Sequence, residues 1–265
     1  MLWIVLLKRK RSKMSLSVKY KAKLLINKGV ALYIGSSSQT VFHKHYVLQL
    51  AILVRGDYQV YIGDNIHINR SIYINSEVRH KHSCENGIHF SLFIEPMSNL
   101  GKCLREKYPS NYVLLDVDLN SVKGFYQQIC NNEVGIKEME EWIVKVFALK
   151  PNAKKTDPRI TKLIEQIEDF EHENKNVSDL LSNIHLSESR IRHLFKEHTG
   201  ISIKRYCLWA KVRKALYYIT QGENLSQAAY HAEFSDYPHL SRTIKKMFGL
   251  NLKTLLQDSH SVQEI

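Results

Sequence analysis

The sequence predicts an α+β multidomain protein: an N-terminal β-barrel with helices following it, then an all-α domain in which two helix-turn-helix units are joined by a long linking helix. Three observations predict this. The apolar period changes from two to helical after Pro96, the stretch Lys150–Pro158 carries two prolines and no bulky apolar residue, and the last hundred or so residues contain an internal repeat.

Between Lys23 and Ile94 short apolar runs rich in Tyr, Ile, Val and His are broken by turn residues. Alternation is clear in Tyr58–Ile62 and Ile66–Ile68, and tight turns are expected at Arg55-Gly56-Asp57 and Gly63-Asp64-Asn65. After Pro96, Met139, Trp142, Val146 and Leu149 fall on one helical face, which is core or a dimer seam rather than a cofactor site. The expected organisation is a basic arm over 1–21, a barrel domain over 22–150, a linker over 151–158, a helical domain over 159–257 and a tail over 258–265.

The repeat carries the functional information. Residues 177–202, VSDLLSNIHLSESRIRHLFKEHTGIS, recur with one residue inserted in the turn as residues 225–251, LSQAAYHAEFSDYPHLSRTIKKMFGLN. Each copy reads as a short helix, a tight turn and a second helix ended by Gly200 or Gly249. Ser178 and Ser226 are the expected caps of the first helices, and Ser187 with Ser235 or Asp236 those of the second. Ile191, Leu194, Phe195 and His198 form the inward stripe of the first unit, leaving Ser189, Arg192, His193 and Lys196 outward. In the second unit Leu240, Ile244 and Met247 point in, and Pro238, Ser241, Arg242 and Lys245 point out. Ile203–Thr220 is the linking helix, eighteen residues or about 27 Å long, with Ile203, Tyr206, Ala210, Leu216 and Ile219 able to bury.

A solvated basic face is a common feature of helices. Its recurrence inside a repeated fold favours DNA, because a helix fits the major groove, Arg can fork onto guanine and Lys neutralises phosphates. The formal net charge of +12 is weaker evidence, since residues 1–21 hold seven Lys/Arg and no acid, against 16 and 13 in 22–157 and 15 and 13 in 158–265.

Leu2–Leu7 is followed by five basic residues, the reverse order of a secretory signal, and translation from Met14 would omit this stretch. The expected location is cytoplasmic. Cys84, Cys103, Cys130 and Cys207 form no C-x-x-C pair and read as buried reduced thiols. No G-x-S-x-G or phosphate loop is present, which leaves no case for an enzyme.

Ser187, Ile191, His193, Phe195, Lys196 and Gly200, then Tyr206 and Ala215, then Phe234, Ser235, Leu240, Arg242, Lys245, Phe248 and Gly249 resemble the C-terminal domain of the AraC/XylS family of bacterial transcription regulators. The resemblance covers about 100 residues. It implies base reading by Ser189, Arg192, His193, Tyr237, His239 and Arg242, and phosphate contacts by Lys196, Ser241, Lys245 and Lys246. It also implies promoter DNA as partner, a homodimer, contact with RNA polymerase and no membrane association. The chain departs from the family where Gly is usual, with His185 and Glu233 in the two turns, and carries Lys211 for Arg and Leu252 for Pro. A left-handed backbone tolerates Glu poorly, so Glu233 is expected to weaken the second unit and Arg192 to matter more than Arg242.

The barrel segment resembles the cupin-like sensor domains of such regulators. Gly35, His43-x-His45, Gln49 and Gly56 match part of a cupin metal pattern, with His80 or His82 as a further ligand from a later strand. The alternative function is therefore a metal-dependent cupin enzyme or metal sensor using His43, His45 and Gln49. Metal-binding cupins carry Glu where Gln49 stands, and an amide oxygen is the poorer ligand, so no metal and no cofactor are expected. The same residues, His43, His45, Gln49 and His80, are the expected pocket for a small-molecule effector.

Overall fold

The structure, a computed structural model, describes residues 3–7, 22–26, 29–35, 39–131, 133–150, 156–168, 186–252 and 262–264. The chain divides into two compact units, Met1–Ala153 with Ile244–Ile265, and Lys154–Thr243.

The strands are β1 (Trp3–Leu7), β2 (Ala22–Ile26), β3 (Val30–Gly35), β4 (Leu48–Ile62), β5 (Asn65–Ile68), β6 (Ser71–Ile74), β7 (His80–Ile94), β8 (Tyr112–Leu115) and β9 (Val262–Glu264). They form one sheet in the order β8-β6-β4-β7-β3-β2-β1-β9, with β5 paired to β4. The predicted turn at Arg55-Gly56-Asp57 is instead a bulge inside the fifteen-residue β4. Gly56 takes φ +80° there and the register against β7 shifts twice, an extra residue on β4 and then one on β7, so the original register resumes without ending the strand. At Gly63, with φ +58°, the chain does reverse, pairing Ile62 with Asn65.

Because strand side chains alternate between faces, the long pair β4 and β7 separates two environments. Leu48, Leu50, Ile52 and Val54 join Phe90, Leu92 and Ile94 in a core with α1 (Asn99–Lys107), α2 (Leu119–Cys130) and α3 (Ile136–Val146). Met139 and Leu149 are buried in that core with Trp142 and Val146 packed against it, and Trp142 stacks on Phe125 with centroids 4.3 Å apart. The predicted apolar stripe is therefore core. The opposite phase of β4 and β7 carries Gln49, Ala51, His89 and Ser91, all buried.

Only Cys84 and Cys103 of the four free thiols are buried. Cys130 is exposed, since Val122, Phe125 and Ile129 set the inward face of α2 and its last residue lies off it.

The second unit contains α4 (Pro158–Glu168), α5 (Glu188–Thr199), α6 (Ile203–Thr220) and α7 (Leu225–His231), and α8 (Tyr237–Phe248) begins within it. Pro158, expected to end the linker, is the first residue of α4, where its missing N–H costs no helical bond. The linking helix has the predicted limits, but Leu216 and Ile219 are half-buried while Trp209, Val212 and Ala215 join Ile203, Tyr206 and Ala210 inside. Tyr206 Oη donates to Glu168 Oε1 at 2.5 Å, and Arg213 pairs with the same carboxylate at 2.6 Å, which ties the end of α4 to α6.

Candidate nucleic-acid interface

In the first unit α5 starts at the predicted place. Ser187 Oγ accepts from Arg190 N at 3.3 Å, and Gly200, with φ +85°, ends the helix by returning its N–H to Lys196 O at 2.8 Å. The partner helix expected at 177–185, with its cap Ser178 and the turn residue His185, lies outside the described residues. Ile191, Leu194 and Phe195 are buried and His198 is half-buried, while Ser189, Arg192, His193 and Lys196 are all exposed. The inward and outward sets fall as the period requires.

This outward face is not free of acid. Arg192 Nη2 lies 2.5 Å and Nε 2.8 Å from Glu188 Oε1, one turn earlier, and His193 faces Glu197 at 3.8 Å. Spacing of four residues brings each carboxylate onto the basic stripe. A signal was present in the sequence, since both glutamates stand at i−4 or i+4 to the basic residue.

In the second unit Asn224, not Ser226, caps α7: its Oδ1 accepts from Ser226 N at 3.1 Å and Gln227 N at 3.0 Å. The helix starts two residues earlier than a Ser226 cap would place it, so Ser226 sits inside its first turn. Asp236 Oδ1 accepts from His239 N at 2.5 Å at the start of α8, and Ser235 Oγ lies 3.1 Å from His239 Nδ1. Leu240 and Ile244 are buried and Met247 is half-buried. Outward, His239, Arg242, Lys245 and Lys246 are exposed, with Tyr237 and Ser241 half-buried on the same helix. His239 also packs its ring on Phe234 at 5.2 Å, which orients it from below. Among the described residues none of Arg242, Lys245 and Lys246 meets a carboxylate.

Glu233 does take a left-handed conformation, φ +60°, yet the turn is built. Its carboxylate meets Lys211 Nζ at 3.0 Å and Lys214 Nζ at 3.7 Å, and Lys211 also donates to its backbone oxygen at 3.4 Å. Burial works to raise this carboxyl, but the hydrogen bond and charge of Lys211 and then Lys214 prevail and hold it below the ordinary range. Two departures from the family pattern, Glu233 and Lys211, are thus partners of one another. The ion pair anchors the turn against the linking helix and offsets the cost of the backbone.

The effector residues also come together. His43, His45, His80 and Gln49 are all buried, and one ligating atom from each of the three imidazoles lies within 4.8 Å of the other two. His82 and His89 are buried beyond them, with His82 and His89 centroids 5.3 Å apart and His89 stacked on Tyr58 at 4.9 Å. Burial first, then the charge of His45, pushes His43 down to about 4, and burial alone pushes His89 to about 4. His45, His80 and His82 are lowered for the same first reason, so these rings are neutral near pH 7. A separate cleft lies among the helices, lined by Asn99, Leu100, Cys103, Glu140, Val144 and Leu149. No described helix is long and apolar enough to cross a membrane.

Comparison with known proteins bears on both parts. Residues 180–258 match the family model described as a helix-turn-helix domain. An uncharacterized HTH-type transcriptional regulator, YidL of Escherichia coli, is 30% identical over 126 residues, 46% of this chain and 41% of that protein. The transcriptional regulatory protein HptR of Staphylococcus aureus is 30% identical over 105 residues, 40% of this chain and 38% of its own length. The chain thus spans about two fifths of the curated relatives it matches. Among solved structures, ToxT from Vibrio cholerae aligns with TM-score 0.58 at 11% identity over 88% of this chain and 100% of that one. Unsaturated fatty acid bound wild-type ToxT aligns with TM-score 0.60 at 12% identity over 90% and 99%. These likenesses show the fold: a sheet-rich N-terminal part followed by a helical C-terminal part. The C-terminal region of the chain thus carries a helix-turn-helix domain.

Proposed function

We propose that the whole chain is a cytoplasmic, non-enzymatic transcription regulator of the AraC/XylS type, which reads successive major-groove segments of a promoter with α5 and α8. The observation that carries this reading is the recurrence of one design: in both helices the apolar residues are buried and Arg192 with Lys196, or Arg242 with Lys245 and Lys246, stand exposed. Ser189, Arg192 and His193 of α5, and Tyr237, His239 and Arg242 of α8, read base edges. Lys196, Ser241, Lys245 and Lys246 hold phosphates and set the register. The family likeness supports a homodimer and contact with RNA polymerase.

The N-terminal unit serves as the sensor. Its buried polar cluster of His43, His45, Gln49 and His80 suits a polar effector, whereas one ToxT structure holds an unsaturated fatty acid. The full chain, offered a pool of random duplexes and carried through rounds of selection, should enrich a defined motif. Its affinity for that motif should exceed that for random DNA by about a thousandfold or more at physiological salt. Enrichment of nothing beyond bulk composition, at low salt as well as high, would defeat the reading.

A further inference from the structure

We propose that the outer face of the sheet where β4, β5 and β7 meet is a docking surface for an acidic segment of a partner protein, recognised by Arg79 and Lys81 and anchored on Ile66 and Ile68. Side chains alternate along a strand, so the buried Val60 and His82 leave their neighbours Tyr61 and Lys81 on the outer face. Tyr61 stands directly opposite Lys81 of β7 on one side and Ile66 of β5 on the other, and Gln59 stands opposite Ile68. Ile66 and Ile68 are 55% and 59% exposed. The row thus runs from two open apolar side chains, across an aromatic ring, to a cation.

The charges of this face are seated on rings. Lys81 Nζ lies 4.2 Å from the Tyr61 ring centroid and 5.1 Å from that of Phe42, and the Arg79 guanidinium carbon lies 4.6 Å from the same Phe42 centroid. Tyr61 Oη in turn donates to Gln59 Oε1 at 2.6 Å, which holds its ring in place. A cation resting on an aromatic face is ordered before a partner arrives, so less side-chain entropy is lost on binding. Among the described residues neither Arg79 nor Lys81 pairs with a carboxylate, and Glu77, the acid closest to Arg79 in sequence, is held by Lys44 at 3.5 Å. Two ordered cations beside exposed isoleucines call for carboxylates carried next to an apolar side chain.

Other anionic partners fit this face less well. A bilayer would be met by the tip of the β4–β5 hairpin, and that tip, Gly63-Asp64-Asn65, is exposed and presents a carboxylate to the headgroups. Bases of a single strand stack on open ring faces, whereas Tyr61 and Phe42 already carry cations. A duplex backbone offers phosphates but nothing to cover Ile66 and Ile68. An acidic peptide supplies both. Neighbouring strands stand about 4.8 Å apart, so β5 and β7 are separated by about 10 Å, which about three residues of extended peptide span. The segment that fits therefore carries an apolar residue for Ile66 and Ile68, a carboxylate about three positions away for Lys81, and a second carboxylate beyond it for Arg79.

This surface does not depend on the DNA-reading assignment, and the experiment leaves that assignment untouched whichever way it falls. A displayed library of random peptides is selected on the full chain, and the enriched peptides are measured by fluorescence anisotropy. A consensus of two acidic residues with an apolar residue about three positions away is expected. Arg79→Ala and Lys81→Ala should each weaken binding about tenfold or more, and Ile66→Ser and Ile68→Ser about fivefold, with melting temperatures unchanged because none of these side chains is buried. Lys81→Glu should abolish binding of the selected peptide and accept a version with Lys in place of the carboxylate that meets it. Arg242→Ala combined with Lys245→Ala should leave peptide affinity as it was, which separates docking here from a peptide that mimics DNA on α8. The proposal is overturned if no acidic consensus emerges, or if the enriched peptides bind undiminished without Arg79 and Lys81. It is equally overturned if phosphatidylglycerol vesicles or a single-stranded oligonucleotide occupy these residues more tightly than any peptide does.

Discussion

The two recognition helices share a framework and differ in charge. In α5 three cations, Arg190, Arg192 and Lys196, stand with two carboxylates, Glu188 and Glu197, whereas α8 has Arg242, Lys245 and Lys246 and no acid. The carboxylates of α5 are in use: Glu188 holds the Arg192 guanidinium and Glu197 faces His193. On the proposed reading, the first helix offers DNA a side chain it must first release, and the second offers one that is ready. What differs is the readiness of the polar face, not the packing that presents it. We therefore propose the opposite order to the one expected from the sequence, where Glu233 was expected to weaken the second unit.

The largest expected effect tests whether that second unit stands on its ion pair. Glu233→Ala keeps a residue with a side chain at φ +60° and leaves Lys214, only 6% exposed, without its carboxylate. A loss of about 2–4 kcal/mol in denaturant unfolding is expected, since the variant removes the carboxylate that meets both Lys211 and the buried Lys214. Glu233→Gly should recover about 1 kcal/mol of that by relieving the left-handed backbone. The pH dependence follows from the lowered carboxyl. Its contribution is fully present above the unfolded-state value of about 4.3 and is lost as pH falls through the lower folded value. The wild type should therefore approach the stability of the Ala variant below about pH 4, and a constant gap between them down to pH 3 would count against the pair.

Next in size is base reading. Arg242→Ala should cost about 1–3 kcal/mol at the best site and relax preference at one or two base positions, measured against a library of single-base variants. Arg192→Ala should do the same more weakly. Equal losses on every sequence would mean that both helices only anchor, with selectivity arising from DNA shape.

Much of this contrast was legible in the sequence, and the reasons for the misses are physical. The period of apolar residues located α5, α6 and α8 and their inward faces, because burial is written directly in spacing. The bulge at Gly56 was read as a turn, since Gly flanked by charged residues signals a positive φ but not whether the strand resumes. Asn224 was missed as a cap for a smaller reason: two good capping residues stand two apart, and only the backbone decides between them. Ion pairs across the fold, such as Glu233 with Lys211 and Lys214, have no local signature at all. In the sheet, the histidines were found by pattern, but the direction of their protons required the carbonyls of Val41, Val47 and Val78 to be placed.

Phosphate anchoring gives the next smaller contrast. Lys245→Ala and Lys196→Ala should each weaken all sequences alike and lower the salt slope by about 1. Lys245 acts beside Lys246 with no acid on its helix, whereas Lys196 lies next in sequence to Glu197, so the loss at fixed salt should be greater for Lys245.

The smallest effect bears most directly on why the helices differ. If Glu188 restrains Arg192, removing its charge should improve DNA binding through α5 alone. Glu188→Gln keeps the side-chain length and the exposed position at the helix start, and gives up an i,i+4 pair worth about 0.3–0.5 kcal/mol on an open surface. It also removes one negative charge from the face presented to phosphates, so binding at the selected site should tighten by a few tenths of a kcal/mol up to about 1, more at low salt than at high. The control is the same substitution in an Arg192→Ala background. There the restraint is already absent, and only the salt-dependent part of the gain should remain. A gain of equal size in both backgrounds would show that Glu188 acts as a general repulsive charge and never held Arg192 back; α5 and α8 would then differ in net charge alone, and the readiness of a single arginine would play no part.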